Sequence, residues 1–368
     1  MQYQIRCPHQ CRGCFVFTRS YPEITTEKEK KAVQLLHGFC DDISPIACPD
    51  EEFRTGYRSK AVLHTRFTRG CWQFGLMSHD EVIDIPDCYI QQPIINESVL
   101  IVKAHLKKHE DLPLVYFVQS GRQIVFVLKT SQFTSTAVFS ESLFRDLDTI
   151  GVEGISLHLN PSAGRKVFLK DKLQLLWGKP FSCDTEGLFY GPMSFRQQIG
   201  SISGKSLEIA LQYFLVEPMS DVCVDLYAGI GAGLKQFSQA GMHCMGVELS
   251  DEAVRMAALN SPGSFMLKGK CHQRIPQIEA FLASNMVKNG KWNLYVNPPR
   301  SGLDMELTEW IITQGRPSRM AYLSCSPYTL ARDLKMLCSN GFKVVSIHPF
   351  DFFPYTRHIE VMVLLKRM

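Results

Sequence analysis

Val222-Cys-Val-Asp-Leu-Tyr-Ala-Gly-Ile-Gly-Ala-Gly233 decides the fold. Its first five residues are an apolar run of strand length, and three glycines follow within five positions before a helical pattern begins. Glycine lets the backbone turn sharply and lets a ligand approach where a strand gives way to a helix. Downstream, apolar runs at His243–Val247, Trp292–Val296 and Met320–Leu323 alternate with helical stretches. Such alternation predicts a doubly wound α/β domain on a mostly parallel sheet. Ligands of these sheets sit at the carboxyl ends of the strands, so the residues just after each run carry the functional reading.

Those residues are informative. The first strand leads to Tyr227 and the glycines, and the second ends in Glu248, spaced so that a carboxylate can accept the hydroxyls of a ribose. The loop lacks the third glycine of a dinucleotide fingerprint, and its Asp-x-x-x-Gly-x-Gly form suits S-adenosyl-L-methionine, which has no pyrophosphate to cradle. The Trp292–Val296 strand ends in Asn297-Pro-Pro-Arg300. Asn-Pro-Pro resembles amino-group methyltransferases, but those continue with an aromatic residue, whereas Arg300 donates to an oxygen. The next strand delivers Cys325, followed by Ser326 as a candidate helix cap and Pro327 in the first turn. A cysteine at a helix start is expected to favour thiolate. Glu360 opens the apolar Val361–Leu365 run, where partial desolvation would raise its pKa and suit it to proton removal.

The N-terminal part has other chemistry. Cys7-Pro-His-Gln-Cys11-Arg-Gly-Cys14 places three thiols within eight residues, a set suited to an iron–sulfur cluster or zinc once a fourth cysteine joins. Cys40, Cys48, Cys71 and Cys88 are the candidates. Phe53–Arg69 interleaves basic and aromatic residues, a pattern that suits RNA or a solvated β-face. Between residues 93 and 190 the chain reads as a small α+β segment. It has a helical pattern near Val99–His109 and hairpins at 114–129 and 155–169.

Composition sets bounds. The 368 residues are 45% hydrophobic and 21% charged, ordinary for a globular protein of two or three domains, and the net charge of +4 permits an RNA partner without requiring one. No apolar run reaches the ~20 residues that span a bilayer. Thirteen cysteines, with no signal-peptide h-region at the start, predict a reducing, cytoplasmic setting and no membrane.

Together these stretches resemble the RNA uracil-5-methyltransferase family over nearly the whole chain. The residues that carry the resemblance are Tyr57-Arg-Ser-Lys60, Phe74-Gly-Leu76, Asp84-Ile-Pro-Asp-Cys88, Ser194-Phe-Arg-Gln197, Asp225-Leu-Tyr-Ala-Gly229, Asn297-Pro-Pro-Arg-Ser-Gly302, Ser324-Cys-Ser-Pro327, Thr329-Leu-Ala-Arg-Asp333 and Phe353-Pro-Tyr-Thr-Arg-His-Ile-Glu360. The chain departs from the family pattern at Ile199, Ser326 and Tyr355. The resemblance implies a C-terminal Rossmann-like class I methyltransferase domain on a seven-stranded sheet over residues 191–368. Ahead of it come a central α+β domain at 93–190 and an N-terminal cluster and RNA-contact region at 1–92. It further implies S-adenosyl-L-methionine held by Gln197, Tyr227, Glu248 and Asn297, Cys325 as nucleophile and Glu360 as base. A 4Fe-4S cluster, with zinc as the alternative, would be bound by Cys7, Cys11, Cys14 and Cys88. Within the family, the early cysteine cluster and the Asn of Asn-Pro-Pro-Arg resemble the branch acting on 23S rRNA, as a monomer with no obligate protein partner. Gln198 stands beside Gln197 as an alternative cofactor contact.

Overall fold

The structure is a computed structural model and describes residues 11, 13–15, 19–133, 136–164, 166–169, 173–216, 220–285 and 291–368. Cys7 lies outside the described residues. The chain divides into two compact units that do not follow the boundaries read from sequence. One contains Glu51–Asp184, Tyr190–Ser194 and the N-terminal segment up to Arg19; the other contains Ser20–Asp50, Thr185–Phe189 and Phe195–Met368.

Helix α1 (Tyr21–Leu36) therefore belongs with the C-terminal half. Ser20 and Glu23 form a reciprocal capping box that starts it. In the first unit, β1 (Lys60–Thr68), β2 (Cys71–Ser78), β3 (Glu81–Asp84), β4 (Leu114–Ser120), β5 (Gln123–Leu128), β6 (Gly154–Leu159) and β7 (Leu173–Gly178) form one sheet in the order β3-β2-β1-β4-β5-β6-β7. Residue 92 is not a boundary because β1 pairs with β4 across it, Lys60 opposite Ser120. Long-range strand pairing of this kind leaves no compositional mark. Helices α2 (Pro93–Leu106) and α3 (Glu141–Thr149) cover the sheet, and Phe74, Phe117 and Phe126 meet edge to face in the core. The 114–129 hairpin forms as expected. The 155–169 hairpin does not: β6 pairs with β7 instead, and the Asn160 side-chain amide holds the Lys166 and Val167 carbonyls in a loop.

The second unit follows the alternation read from sequence. After α4 (Gly200–Phe214) come β8 (Val222–Leu226), α5 (Ala232–Gln239), β9 (His243–Glu248), α6 (Asp251–Asn260), β10 (Phe265–Lys268), α7 (Ile275–Asn285), β11 (Asn293–Val296), α8 (Met305–Trp310), β12 (Arg319–Ser324), α9 (Pro327–Ser339), β13 (Phe342–Phe350) and β14 (Glu360–Arg367). The seven strands order as β10-β9-β8-β11-β12-β14-β13. Neighbours from β10 to β12 are parallel, and β14 runs antiparallel to both β12 and β13. The central strands are buried on both faces, with Leu294, Val296, Tyr322 and Val363 in the core, whereas the edge strand β10 has no buried residue. Among the described residues no helix is long and apolar enough to cross a membrane.

α1 is fixed to this unit by a buried charge network. Lys28 is 4% exposed, and its ammonium donates to Asp351 Oδ1 (2.5 Å) and to the Phe353 carbonyl (3.0 Å). The Tyr21 hydroxyl donates to Asp351 Oδ2 at 2.8 Å. Burial alone lowers the Lys28 pKa, and the Asp351 charge opposes that. Removing one partner strands the other charge. Asp351→Ala is therefore expected to cost about 3–5 kcal/mol, read by urea unfolding; a loss below about 1 kcal/mol would show that water replaces the carboxylate.

Candidate active site

The register of β12 against β14 builds the site. Ser324, the last residue of β12, pairs with Val361, so continuing that register brings the following residue, Cys325, opposite the first residue of β14, Glu360, whose charge acts on it. An antiparallel strand begins at the edge where its parallel neighbours end, so Glu360 joins the carboxyl-end row of Tyr227, Glu248, Asn297 and Cys325. The loop that feeds β14 is held locally. Thr356 Oγ1 donates to the Phe353 carbonyl (2.8 Å) and accepts from the His358 amide (3.2 Å). Tyr355 sits at φ +59°, a conformation that costs a non-glycine residue energy, and its ring packs 5.3 Å from that of Tyr21.

Glu360 is 4% exposed, and its Oε2 has no hydrogen-bond partner among the described residues. Burial pushes its pKa up to about 8, against the opposing pull of the Arg300 guanidinium. The expectation of a desolvated carboxylate holds here. The expectation for Cys325 reverses. Burial and then the Glu360 charge push its thiol up, while Arg300, by charge and by a hydrogen bond to the sulfur, and the residue's own amide draw it down. The thiol is thus the resting form, and Arg300 is the group positioned to favour thiolate. Ser326 is the N-cap residue of α9, but its side chain makes no capping bond. Ser324 bridges this turn instead, its Oγ donating to the Ser326 carbonyl and accepting from the Ser326 amide, each at 3.2 Å.

Arg300 is exposed, and its loop is tied to α9. Thr329 Oγ1 donates to the Arg300 carbonyl (3.1 Å), and Arg332 donates to the Ser301 carbonyl (2.8 Å). Buried Asp333 accepts from the Leu303 amide (2.9 Å) and the Tyr322 hydroxyl (2.7 Å). Gly302 takes φ +77°, and a Cβ there would run into the Asp333 carboxylate. Asp333 is therefore a positioning residue that binds the Arg300 loop to β12 and α9. Both motifs were visible in the sequence, but the bonds that tie one to the other were not.

The glycine loop is built for close approach. Gly229 and Gly231 have φ +56° and +81°, and a Cβ on Gly231 would come within 2.9 Å of the Ala257 methyl. Tyr227 also has positive φ (+64°), and its hydroxyl donates to Asp304 Oδ2 at 3.5 Å. Glu248 accepts the Gly229 amide on Oε2 (3.0 Å) and the Leu249 and Ser250 amides on Oε1 (2.7 and 2.8 Å). These bonds aim the carboxylate at the loop and leave one lone pair, on Oε2, for an incoming hydroxyl. The Asn297 amide extends the ladder to the Leu226 carbonyl at 3.3 Å. Ahead of α4, Gln197 Oε1 is buried without a partner among the described residues, whereas Gln198 Nε2 is spent on the Arg196 carbonyl (2.8 Å). Gln197 is thus the one of the pair with an unmet hydrogen bond. Asp225, the first residue of the Asp-x-x-x-Gly-x-Gly form, is buried with Oδ1 unpaired among the described residues, and burial followed by the Glu248 charge raises its pKa well above the carboxylate range.

In the first unit, Cys11 lies close enough to Cys88 for its charge to act on the Cys88 thiol, and both sit at the edge of the apolar core. Burial raises the Cys88 pKa, while the amides of Ile90 and Gln91, directed at its sulfur, lower it. Cys14 is half-buried nearby in sequence. Among the described residues no group of three or more His, Cys, Asp or Glu is placed to hold a metal ion. Of the basic Phe53–Arg69 stretch, Tyr57 is buried and Lys60 is spent on the Met193 and Ser194 carbonyls (2.6 and 2.9 Å).

The pattern of the tRNA (uracil-5-)-methyltransferase family matches residues 281–368, the stretch that carries Asn297, Arg300, Cys325 and Glu360. Over that stretch the chain is similar to the RNA uracil-5-methyltransferase family. An uncharacterized RNA methyltransferase of Clostridium acetobutylicum is 28% identical over 98% of this chain and 82% of its own. One of Oceanobacillus iheyensis is 29% identical with the same coverage. The solved Pyrococcus abyssi tRNA (uracil-54, C5)-methyltransferase, in complex with S-adenosyl-L-homocysteine, shares the fold of this methyltransferase. Its TM-score is 0.71 at 20% identity, over 94% of this chain and 83% of that one.

Proposed function

We propose that this methyltransferase transfers a methyl group from S-adenosyl-L-methionine to C5 of one uridine in RNA, with uracil-747 of 23S rRNA as the target. One observation carries the chemistry: Cys325 and Glu360 are opposed across β12 and β14, with Arg300 on the sulfur.

C5 of uracil is a poor nucleophile. When the Cys325 sulfur bonds to C6, the C5=C6 pair moves into an enolate across C5, C4 and O4, and C5 can then attack an electrophilic methyl. Arg300 lowers the cost of forming the thiolate that adds. Bound S-adenosyl-L-methionine supplies that methyl on a sulfonium. Gln197, Tyr227, Glu248 and Asn297 would hold it, Glu248 on a ribose hydroxyl and Gln197 through its unpaired amide oxygen. Glu360, as carboxylate, then takes the C5 proton; the released pair re-forms C5=C6 and expels Cys325.

Cys7, Cys11, Cys14 and Cys88 would hold a 4Fe-4S cluster, whose part is structural because no step above needs an electron. The amides aimed at the Cys88 sulfur and the approach of Cys11 support that set, since such hydrogen bonds accompany cluster thiolates. Cys88→Ser is expected to lose most of the iron of protein purified without oxygen, while the exposed Cys183→Ser keeps it. Zinc in place of iron in the wild-type protein would overturn the assignment.

Mass spectrometry of nucleosides from 23S rRNA and tRNA, with and without the protein, tests the function. Loss of 5-methyluridine at position 747 is expected. Persistence of every 5-methyluridine would overturn the activity, and loss at a tRNA position would move the target.

A further inference from the structure

We propose that Tyr328, with Lys31 behind it, is a stacking platform for the nucleotide that flanks the target uridine. The proposal rests on the RNA methylation reading and adds to it a residue that grips the substrate. Single exposed aromatic residues are ordinary. Tyr328 differs in place and in company. It lies three residues after Cys325, in the first turn of α9, and is 62% exposed. The next residue, Thr329, is bonded to the Arg300 carbonyl, so this first turn of α9 stands beside the loop that serves the nucleophile. The Lys31 ammonium of α1 lies 5.0 Å from the ring centroid, which orients the ring without covering it.

A flipped uridine must leave its stack, and its neighbour loses a stacking partner. An aromatic face three residues from the nucleophile restores that stacking, and the Lys31 cation suits an adjoining phosphate. Nothing in the core needs the Tyr328 ring, so its removal leaves the fold intact.

The test is fluorescence anisotropy with a fluorescein-labelled uridylate nonamer at one fixed salt concentration. Tyr328→Ala is expected to raise the Kd by roughly 5- to 150-fold, the value of one base stack. Tyr328→Phe, which keeps the ring, is expected to restore it. S-adenosyl-L-methionine affinity and melting temperature should stay at wild-type values. Wild-type affinity no higher than that of Tyr328→Ala overturns the proposal, as does a Phe variant as weak as Ala. In either case, continued 5-methyluridine formation by the wild-type enzyme leaves the methylation reading standing. Absence of that product on every RNA is the separate failure of that reading.

Discussion

Cys325→Ala is expected to abolish RNA methylation, by at least about 10⁴-fold, while S-adenosyl-L-methionine binds with unchanged affinity. The effect is large because no neighbour replaces the sulfur. Ser324 and Ser326 flank it, but the Ser324 hydroxyl is engaged by the Ser326 backbone, and a serine hydroxyl lacks the thiolate's nucleophilicity. The loss is chemical rather than structural. Cys325 is half-buried, so truncation to Ala removes little packing, and the melting temperature should shift by no more than a few degrees. Calorimetry gives the cofactor affinity and a tritium-transfer assay gives the rate. RNA carrying 5-fluorouridine sharpens the test, since a fluorine at C5 cannot be removed as a proton. The wild-type enzyme should remain bonded to it through Cys325, and the Ala variant should form no adduct. Activity of Cys325→Ala within tenfold of wild type would sink the addition mechanism and favour methylation of an exocyclic amine, the other chemistry associated with Asn297-Pro-Pro.

Glu360→Gln is expected to lower turnover by about 10²- to 10⁴-fold, the range for loss of a general base. It should do so at a different step. Addition and methyl transfer do not need the carboxylate, so methylated RNA should accumulate while still bonded to Cys325. A slow band on a denaturing gel with unsubstituted RNA would report it. A variant that is slow but shows no adduct would move Glu360 to an earlier step. The wild-type pH profile follows from the same group. With its pKa pushed to about 8, only about a tenth of Glu360 is ionised at pH 7, so turnover should rise about tenfold between pH 7 and 9. Stability runs the other way. Between the ordinary value of 4.5 and about 8 the folded chain holds a proton that the unfolded chain has released. This contribution is full below the lower value and is lost as pH rises through the upper one. Glu360→Gln removes that slope, so its melting temperature relative to wild type should rise from pH 5 to pH 8.

The two units differ in how much of them could be read in advance. Five of the seven C-terminal strands appeared as apolar runs because the middle of the sheet is buried on both faces, and their residue limits shift by only a position or two; the edge strands β10 and β13, more exposed, were not read. In the first unit, periodicity found β4 and β5 but joined β6 to the wrong partner and cut the β1–β4 pairing at residue 92. Pairings between distant segments have no local signature. For the same reason α1, far from the C-terminal sheet in sequence, was not assigned to it, although Lys28 and Tyr21 converge on Asp351.

Residue type and position at strand ends pointed, by themselves, to a nucleoside-cofactor loop, a nucleophilic cysteine and a carboxylate suited to act as base. Only the tertiary structure decided how these groups act on one another. Register across an antiparallel pair is non-local, and it brings Glu360 opposite Cys325. Desolvation depends on packing, so it makes Glu360 a base near neutrality and turns the expected thiolate at Cys325 into a thiol that relies on Arg300.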